Sequence, residues 1–394
     1  AAEPNNTRKT THFPPQNPKS SKSQQRNRKS STPDAVFQQT ARAKIEVVTE
    51  YFGAWSKVIS SRAKDRIAYV DLFAGPGKYQ DGCTSTPLRI LGTAINNPEL
   101  RKSLIAILND RDISIASELQ ANVNALPQIE TMVHKPRVLN EEVSMDLATF
   151  LTTIRFVPTL SFIDPWGFRG LTLQLIYALL RGWGCDIIFF LNFDGIRRAL
   201  YHADSQKHLV QLLPHSDIHS FRNNLSNSAG RKRESMIVEE IDKNLRVAGA
   251  KYIVKLCFKR QASNATSHYL YFVCKHHKGF EIMNGIMSKK SSKSVDGVPN
   301  FIFDPKCRSM QEEMEYGVLI EQLASELATD YSNKEVTALE AFWNQKYQRQ
   351  YVKSNFKTAL QLLIDRGLAD RKIAEDQRRS PSLTYKSVVV LKGV

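Results

Sequence analysis

The chain has 394 residues, 42% of them hydrophobic and 24% charged, the balance of a folded globular protein with room for two or three domains. Its formal net charge of +16 favours polyanionic partners, and the lack of any apolar run of about 18 residues argues against a membrane-spanning helix. Five cysteines, odd in number and without C-x-x-C spacing, three of them in hydrophobic runs, point to a reducing cytoplasm without disulfides or structural zinc.

Residues 1–34 are Ser, Asn, Gln, Pro and Lys/Arg, with seven cations against two acids and Phe13 the one large apolar side chain. Such a segment reads as a disordered basic tail. Two further basic groupings follow: residues 275–294 carry five cations against one acid, and residues 341–394 eleven against four. Grouped charge of this kind selects nucleic acid over a membrane surface, since no strongly amphipathic basic helix accompanies it.

From residue 36 to 62 a helix is expected, with Val36, Ile45, Val48, Tyr51, Phe52, Trp55 and Ile59 as its apolar stripe. Strands at 66–73, 104–109, 132–138, 159–163 and 185–191 then alternate with helices at 87–96, 113–125, 145–154, 172–181 and 194–201. That alternation predicts a mainly parallel, doubly wound sheet. The first strand ends in Asp71-Leu72-Phe73-Ala74-Gly75-Pro76-Gly77, whose glycines let the backbone turn sharply and approach a ligand closely. This loop resembles the first motif of S-adenosylmethionine (SAM)-dependent methyltransferases. It lacks the Gly-Lys-Ser/Thr of a phosphate-binding loop, and Gln80 stands where a dinucleotide loop needs its third glycine. Thr86-Pro87 reads as N-cap and first residue of the next helix, which leaves 78–86 as an excursion able to cover a ligand.

The second strand ends at Asn109-Asp110. An acid there commonly holds ribose hydroxyls, with Asp110 the first choice and Asn109 or Asp112 the alternates. The third strand ends near Asn140, where adenine contacts are expected. The fourth ends in Asp164-Pro165-Trp166-Gly167. Asp-Pro-Trp resembles the Asp-Pro-Pro-Tyr/Trp motif of methyltransferases that modify exocyclic amines, with Trp166 where the second proline would stand. A carboxylate and a fixed carbonyl can accept hydrogen bonds from an amine, and an aromatic ring can stack on a flipped base.

Residues 203–232 are polar and read as an irregular insertion, followed by a helix at 234–247. Two hydrophobic runs, 252–258 and 269–274, suggest an antiparallel pair ending the sheet. Lys275 or His276 could then face a substrate, although a solvated basic turn is the other reading. Beyond 312 come helices at 314–328, 335–345 and 353–367 and a β-like pair at 368–373 and 383–392. This is the order of a winged helix-turn-helix. Lys353, Asn355 and Lys357 are expected on the exposed face of its third helix, with Arg378 and Arg379 on the wing.

Taken together, Tyr69–Tyr79, Pro87-Leu88, Phe162–Phe168, the run Lys275–Met283 and the winged ending resemble the three-Cys-motif partner proteins over roughly residues 36–394. The fold class expected is α/β: a Rossmann-like SAM-methyltransferase sheet over 35–311, insertion included, with a winged helix-turn-helix domain over 312–394. The cofactor implied is SAM, held by Asp71, Phe73, Gly75, Pro76, Gly77, Asp110 and Asn140. Asp164, Pro165 and Trp166 are the catalytic candidates. Lys275, Lys353, Lys357, Arg378 and Arg379 are those for nucleic acid, DNA ahead of RNA. The resemblance also implies a radical-SAM-like partner that carries a three-cysteine motif. The alternative is a non-catalytic DNA-binding adaptor that keeps the sheet as scaffold.

Overall fold

A computed structural model describes residues 33–393, apart from 64–65, 80–81, 261–262, 264, 296–297, 305–310, 314–317, 345–350 and 373–381. Helix α1 (Pro33–Ser60) buries Ile45, Val48, Tyr51, Phe52 and Trp55, the stripe that its helical period places on one face. The chain continues through β1 (Ile67–Asp71), α2 (Thr86–Ile95), α3 (Pro98–Ser103), β2 (Leu104–Asn109), α4 (Ile113–Asn124), β3 (Arg137–Leu139), α5 (Met145–Thr153) and β4 (Thr159–Ile163). Next come α6 (Leu173–Leu180), β5 (Asp186–Asn192), α7 (Phe193–Ala199), α8 (Ala203–Leu212), α9 (Ile218–Ser226), α10 (Gly230–Val247), β6 (Tyr252–Lys259), β7 (Thr266–Cys274) and α11 (His277–Lys289). Short strands β8 (Lys293–Val295), β9 (Val298–Pro299), β10 (Ile302–Phe303) and β11 (Gln311–Glu313) lead to the C-terminal segment.

The main sheet has the order β3-β2-β1-β4-β5-β7-β6-β10. Strands β1 to β5 are parallel, and β7 runs antiparallel to both β5 and β6. The chain winds outward from β1 to β3, then returns to place β4 on the other side of β1. The crevice at such a reversal, beyond the carboxyl ends of the strands, is where open α/β sheets bind ligands. The two motif-bearing strands, β1 and β4, are therefore direct neighbours. Alternation through β1 puts Ile67 and Tyr69 in the core that α1 and α2 cover, and Val70 in the core on the other face.

Several expectations change. Residues 203–232 are not irregular: α8, α9 and the start of α10 occupy them. Each spends few apolar residues, but Leu209, Leu212, Ile218 and Leu225 are all buried, and Asp217 caps α9 by accepting from the His219 and Ser220 N–H groups at 3.0 and 3.1 Å. Tertiary burial of a thin stripe makes helices of a segment whose composition is polar. The N-cap of α2 is Ser85, one residue before Thr86.

The C-terminal segment holds α12 (Val318–Asp330), β12 (Glu335–Thr337), α13 (Ala338–Trp343), α14 (Lys353–Asp365), β13 (Ala369–Arg371) and β14 (Val388–Leu391), with the sheet order β12-β14-β13. It docks on α11. Phe280 stacks on Phe342 at 4.8 Å, the His277 ring lies tilted against Trp343 at 4.0 Å, and Asn284 donates to the Tyr351 carbonyl at 3.3 Å. No helix among the described residues is long and apolar enough to cross a membrane.

Candidate active site

The loop after β1 is shaped by two left-handed glycines, Gly75 (φ +64°) and Gly77 (φ +91°). A Cβ on Gly77 would lie 3.1 Å from Leu119 Cδ1 and 3.2 Å from Leu88 Cδ1, whereas nothing lies within 4 Å of one on Gly75. Gly77 is thus the packed side of the turn and Gly75 the open side. Asn122 of α4 donates to the Pro76 carbonyl at 2.8 Å, and the Ala74 N–H donates to the Asn109 carbonyl at 2.8 Å. Gly77→Ala is expected to cost about 2–5 kcal/mol of stability, since it adds overpacking to left-handed backbone, and Gly75→Ala only about 1–2, since it asks alanine for left-handed backbone without a clash. Thermal denaturation of the two variants checks this ordering.

Asp71 is buried. Its oxygens accept from the Tyr69 hydroxyl at 3.0 Å and the Phe73 N–H at 3.2 Å. Burial pushes its carboxyl up to about 7 despite those two bonds. Its visible work is to hold the loop. Phe73 reaches towards Gly170, where its ring would meet an added Cβ at 3.1 Å.

Asn109 and Asp110 divide the end of β2 between structure and surface. Asn109 is buried and ties three strand ends together: it donates to the Leu72 and Glu141 carbonyls at 3.1 and 2.9 Å and accepts from the Glu141 N–H at 2.9 Å. Asp110 faces the glycine loop, accepting from the Gly75 N–H at 3.2 Å and the Asp112 N–H at 3.0 Å. A carboxylate has about four acceptor sites, so two remain for ligand hydroxyls. Asn140 donates to the Asp110 carbonyl at 2.9 Å. Asp112 is the N-cap of α4.

At the end of β4, Asp164 forms an ion pair with Lys44 of α1, with side-chain exposures of 22% and 12%. Burial pulls the Lys44 ammonium down, but the Asp164 charge and hydrogen bond outweigh it and the group ends above its ordinary value. Its Nζ also lies 4.7 Å above the Phe190 ring, and Phe190 stacks on His268 at 4.6 Å. Burial, reinforced by the Lys44 cation, lowers His268 to about 4, so the imidazole is neutral at physiological pH. Pro165 is buried and Trp166 is 97% exposed. Beyond β5, Asp194 binds Arg260 and, at 3.1 Å, Arg197.

Lys44 and His268 belong to no sequence motif of this site. Lys44 carries a visible signal: positions 44, 48, 51 and 55 share one helix face, so a cation stands at the head of an apolar stripe. His268 keeps step with Leu270 and Phe272 on one face of β7, but which end of the sheet it meets depends on the direction of that strand.

The nucleic-acid candidates scatter. Lys275 is not at the ligand end. Strand β7 runs antiparallel to β5, so Lys275 emerges at the opposite end of the strands, where its ammonium donates to the Arg181 and Gly182 carbonyls at 2.8 and 2.6 Å. Asn355 is buried and accepts from the Val352 N–H at 2.9 Å, so it is not on an exposed helix face. Lys353 pairs with Glu281 of α11 at 2.6 Å, and both Lys353 and Lys357 lie over the Tyr385 ring, at 4.8 and 5.5 Å. Arg378 and Arg379 lie outside the described residues. No group of His, Cys, Asp or Glu among the described residues could hold a metal ion.

No family model and no curated protein matches the chain. Solved structures that align with it include a Legionella pneumophila protein (11% identity, 59% of this chain and 85% of the other, TM-score 0.33). They also include the DszA carbon methyltransferase (11%, 60% and 55%, TM-score 0.35). A third is the human methyltransferase 10 domain containing protein (12%, 62% and 99%, TM-score 0.30). The chain's α/β class is carried by its own strand order.

Proposed function

We propose that the chain is a SAM-dependent methyltransferase-like protein acting on nucleic acid, at a base amine. The observation that supports it best is a juxtaposition. An open glycine turn faced by the Asp110 carboxylate lies at the switch point of a doubly wound sheet, beside the strand end that carries Asp164-Pro165-Trp166. These residues fit the cofactor: Gly75, Pro76 and Gly77 would meet its methionine part, Asp110 its ribose hydroxyls and Asn140 its adenine. SAM, when bound, would supply an electrophilic methyl group. The chain's own part is to orient the acceptor. Asp164 and the Pro165 backbone would receive the amine's N–H groups, and exposed Trp166 would stack on a base drawn out of its helix.

On this reading the chain is a three-Cys-motif partner protein, and a radical-SAM-like protein is its companion. Helices α12 to α14 with β12 to β14 are read as a winged helix. Because Lys353 is engaged by Glu281, its contact with DNA would rest on Lys357, Arg378 and Arg379. A second reading, a DNA-bound adaptor without catalysis, is favoured by one observation: Asp164 is already neutralised by Lys44, so an incoming amine must compete with an internal ammonium.

Calorimetry with SAM tests the reading. Binding is expected in wild type, weaker by about 1–3 kcal/mol in Asp110→Ala, where charge-assisted hydrogen bonds to the ligand are lost. No detectable binding of SAM or its demethylated product would overturn it. Mass spectrometry of nucleosides from cells expressing wild type or Asp164→Asn then separates enzyme from adaptor. A methylated nucleoside that disappears with Asp164→Asn supports the enzyme, and identical profiles support the adaptor.

A further inference from the structure

At the other end of the strands, β5 begins at Asp186 and β7 ends at Cys274. The seven residues of β5 set this end about 20 Å from the strand ends that carry the glycine loop. A cavity of about 420 Å³ opens there between the second half of α1, the turn from α6 into β5 and the start of α11. That volume is within the range of small-molecule sites, about 300–1,000 Å³. The Lys275-His276-His277-Lys278-Gly279 run, unused by the site above, contributes to its wall.

The chemistry of the wall is specific. Trp183 gives it an accessible aromatic face, and Tyr51 and Trp55 lie buried behind the wall. The Trp55 indole is fixed by its N–H bond to the Gly184 carbonyl at 3.2 Å, while Trp183 is half exposed. Four cations line the cavity, Arg62, Arg181, Lys275 and Lys278, against the single carboxyl of Asp186. Burial raises that carboxyl to about 7, so at neutral pH it offsets only part of one charge. Lys275 is committed to backbone carbonyls, Arg181 donates to the Thr152 carbonyl, and Lys278 pairs loosely with Glu281 at 3.4 Å. Arg62 makes no ion pair among the described residues. His276 already caps the first turn of α11 by accepting from the Lys278 N–H at 3.1 Å, so an anion would meet side-chain cations rather than free backbone N–H groups.

Side-chain cations beside one exposed indole face define the occupant. Guanidinium forks match phosphate oxygens, and aromatic rings stack on nucleobases. We propose that this cavity binds a nucleoside monophosphate, with the phosphate at Arg62 and the base against Trp183. The site is separate from the glycine loop and does not rest on the SAM reading.

Calorimetry on the full chain, titrated separately with AMP, GMP, CMP and UMP, tests it. At least one nucleotide is expected to bind saturably, and at least about tenfold tighter than its nucleoside or inorganic phosphate. Arg62→Ala and Trp183→Leu should each weaken it by about tenfold or more, whereas Asp110→Ala should leave it unchanged. A 5′-phosphorylated trinucleotide assigns the source: tighter binding than the mononucleotide indicates a strand end, equal or weaker binding a free nucleotide. Three results overturn the proposal. One is no saturable binding in the millimolar range. Another is phosphate binding as tightly as the nucleotides. The third is binding lost in Asp110→Ala but kept in Arg62→Ala, which would move the nucleotide to the glycine loop.

Discussion

Replacing Lys44 with methionine is expected to lower the free energy of unfolding by about 2–4 kcal/mol. Removing one partner of a buried ion pair costs about 3–5 kcal/mol because the other charge is left desolvated. The 12% and 22% side-chain exposures of Lys44 and Asp164 let water relieve some of that. Methionine retains length and a favourable contact with the Phe190 ring, so the loss reports the charge more than the packing. The double variant Lys44→Met, Asp164→Leu should recover most of the loss, since two apolar side chains leave no orphaned charge. Denaturant midpoints of wild type, the single variant and the double variant form the measurement. An unchanged midpoint in Lys44→Met would mean that the pair does not form in solution and that Asp164 is a free carboxylate, which removes the argument for the adaptor reading. Lys44 also holds the Asp71 carboxyl down, so the variant's stability should fall more steeply with rising pH than that of wild type.

The legible part of this architecture is the part written in short windows. Asp71 and Asp164 could be assigned to adjacent strand ends because each closes a hydrophobic run, and βαβ alternation leaves few ways to order the strands. Direction was harder to read. A single antiparallel insertion, β7 between β5 and β6, reverses which end of the sheet its flanking residues reach. It delivers His268 to the ligand end and removes Lys275 from it. Neighbouring polar residues at a strand end were ambiguous for a related reason. Asn109 and Asp110 differ by one step in a period of two, and only the buried hydrogen bonds of Asn109 decide which of them turns inward. The third helix of the C-terminal segment looked exposed where its sequence is basic, yet the docking of that segment on α11 gives Lys353 a carboxylate partner and buries Asn355. Such contacts between distant segments leave no trace in local periodicity.

The Asp186→Asn variant is expected to flatten the fall of stability with pH. Asp186 is 7% exposed and accepts from the Tyr51 hydroxyl at 2.6 Å. Burial raises its carboxyl to about 7, while the Tyr51 bond and the Lys275 charge only partly oppose the rise. An acid whose folded pKa is raised adds stability in its protonated form. That contribution is fully present below the unfolded value of about 3.9 and is lost as pH rises through about 7. Between pH 5 and pH 8 the loss from this one group is about 2–3 kcal/mol. Asparagine can still accept the Tyr51 hydroxyl bond but has no proton to lose, so the variant should lose less stability than wild type between pH 5 and pH 8. Asp71, raised to a similar value, continues to titrate in both proteins and leaves a residual slope. Urea unfolding of wild type and variant at the two pH values measures the difference directly. Parallel slopes would show that Asp186 titrates as an ordinary carboxylate and that water reaches it through the cavity between α1 and α11.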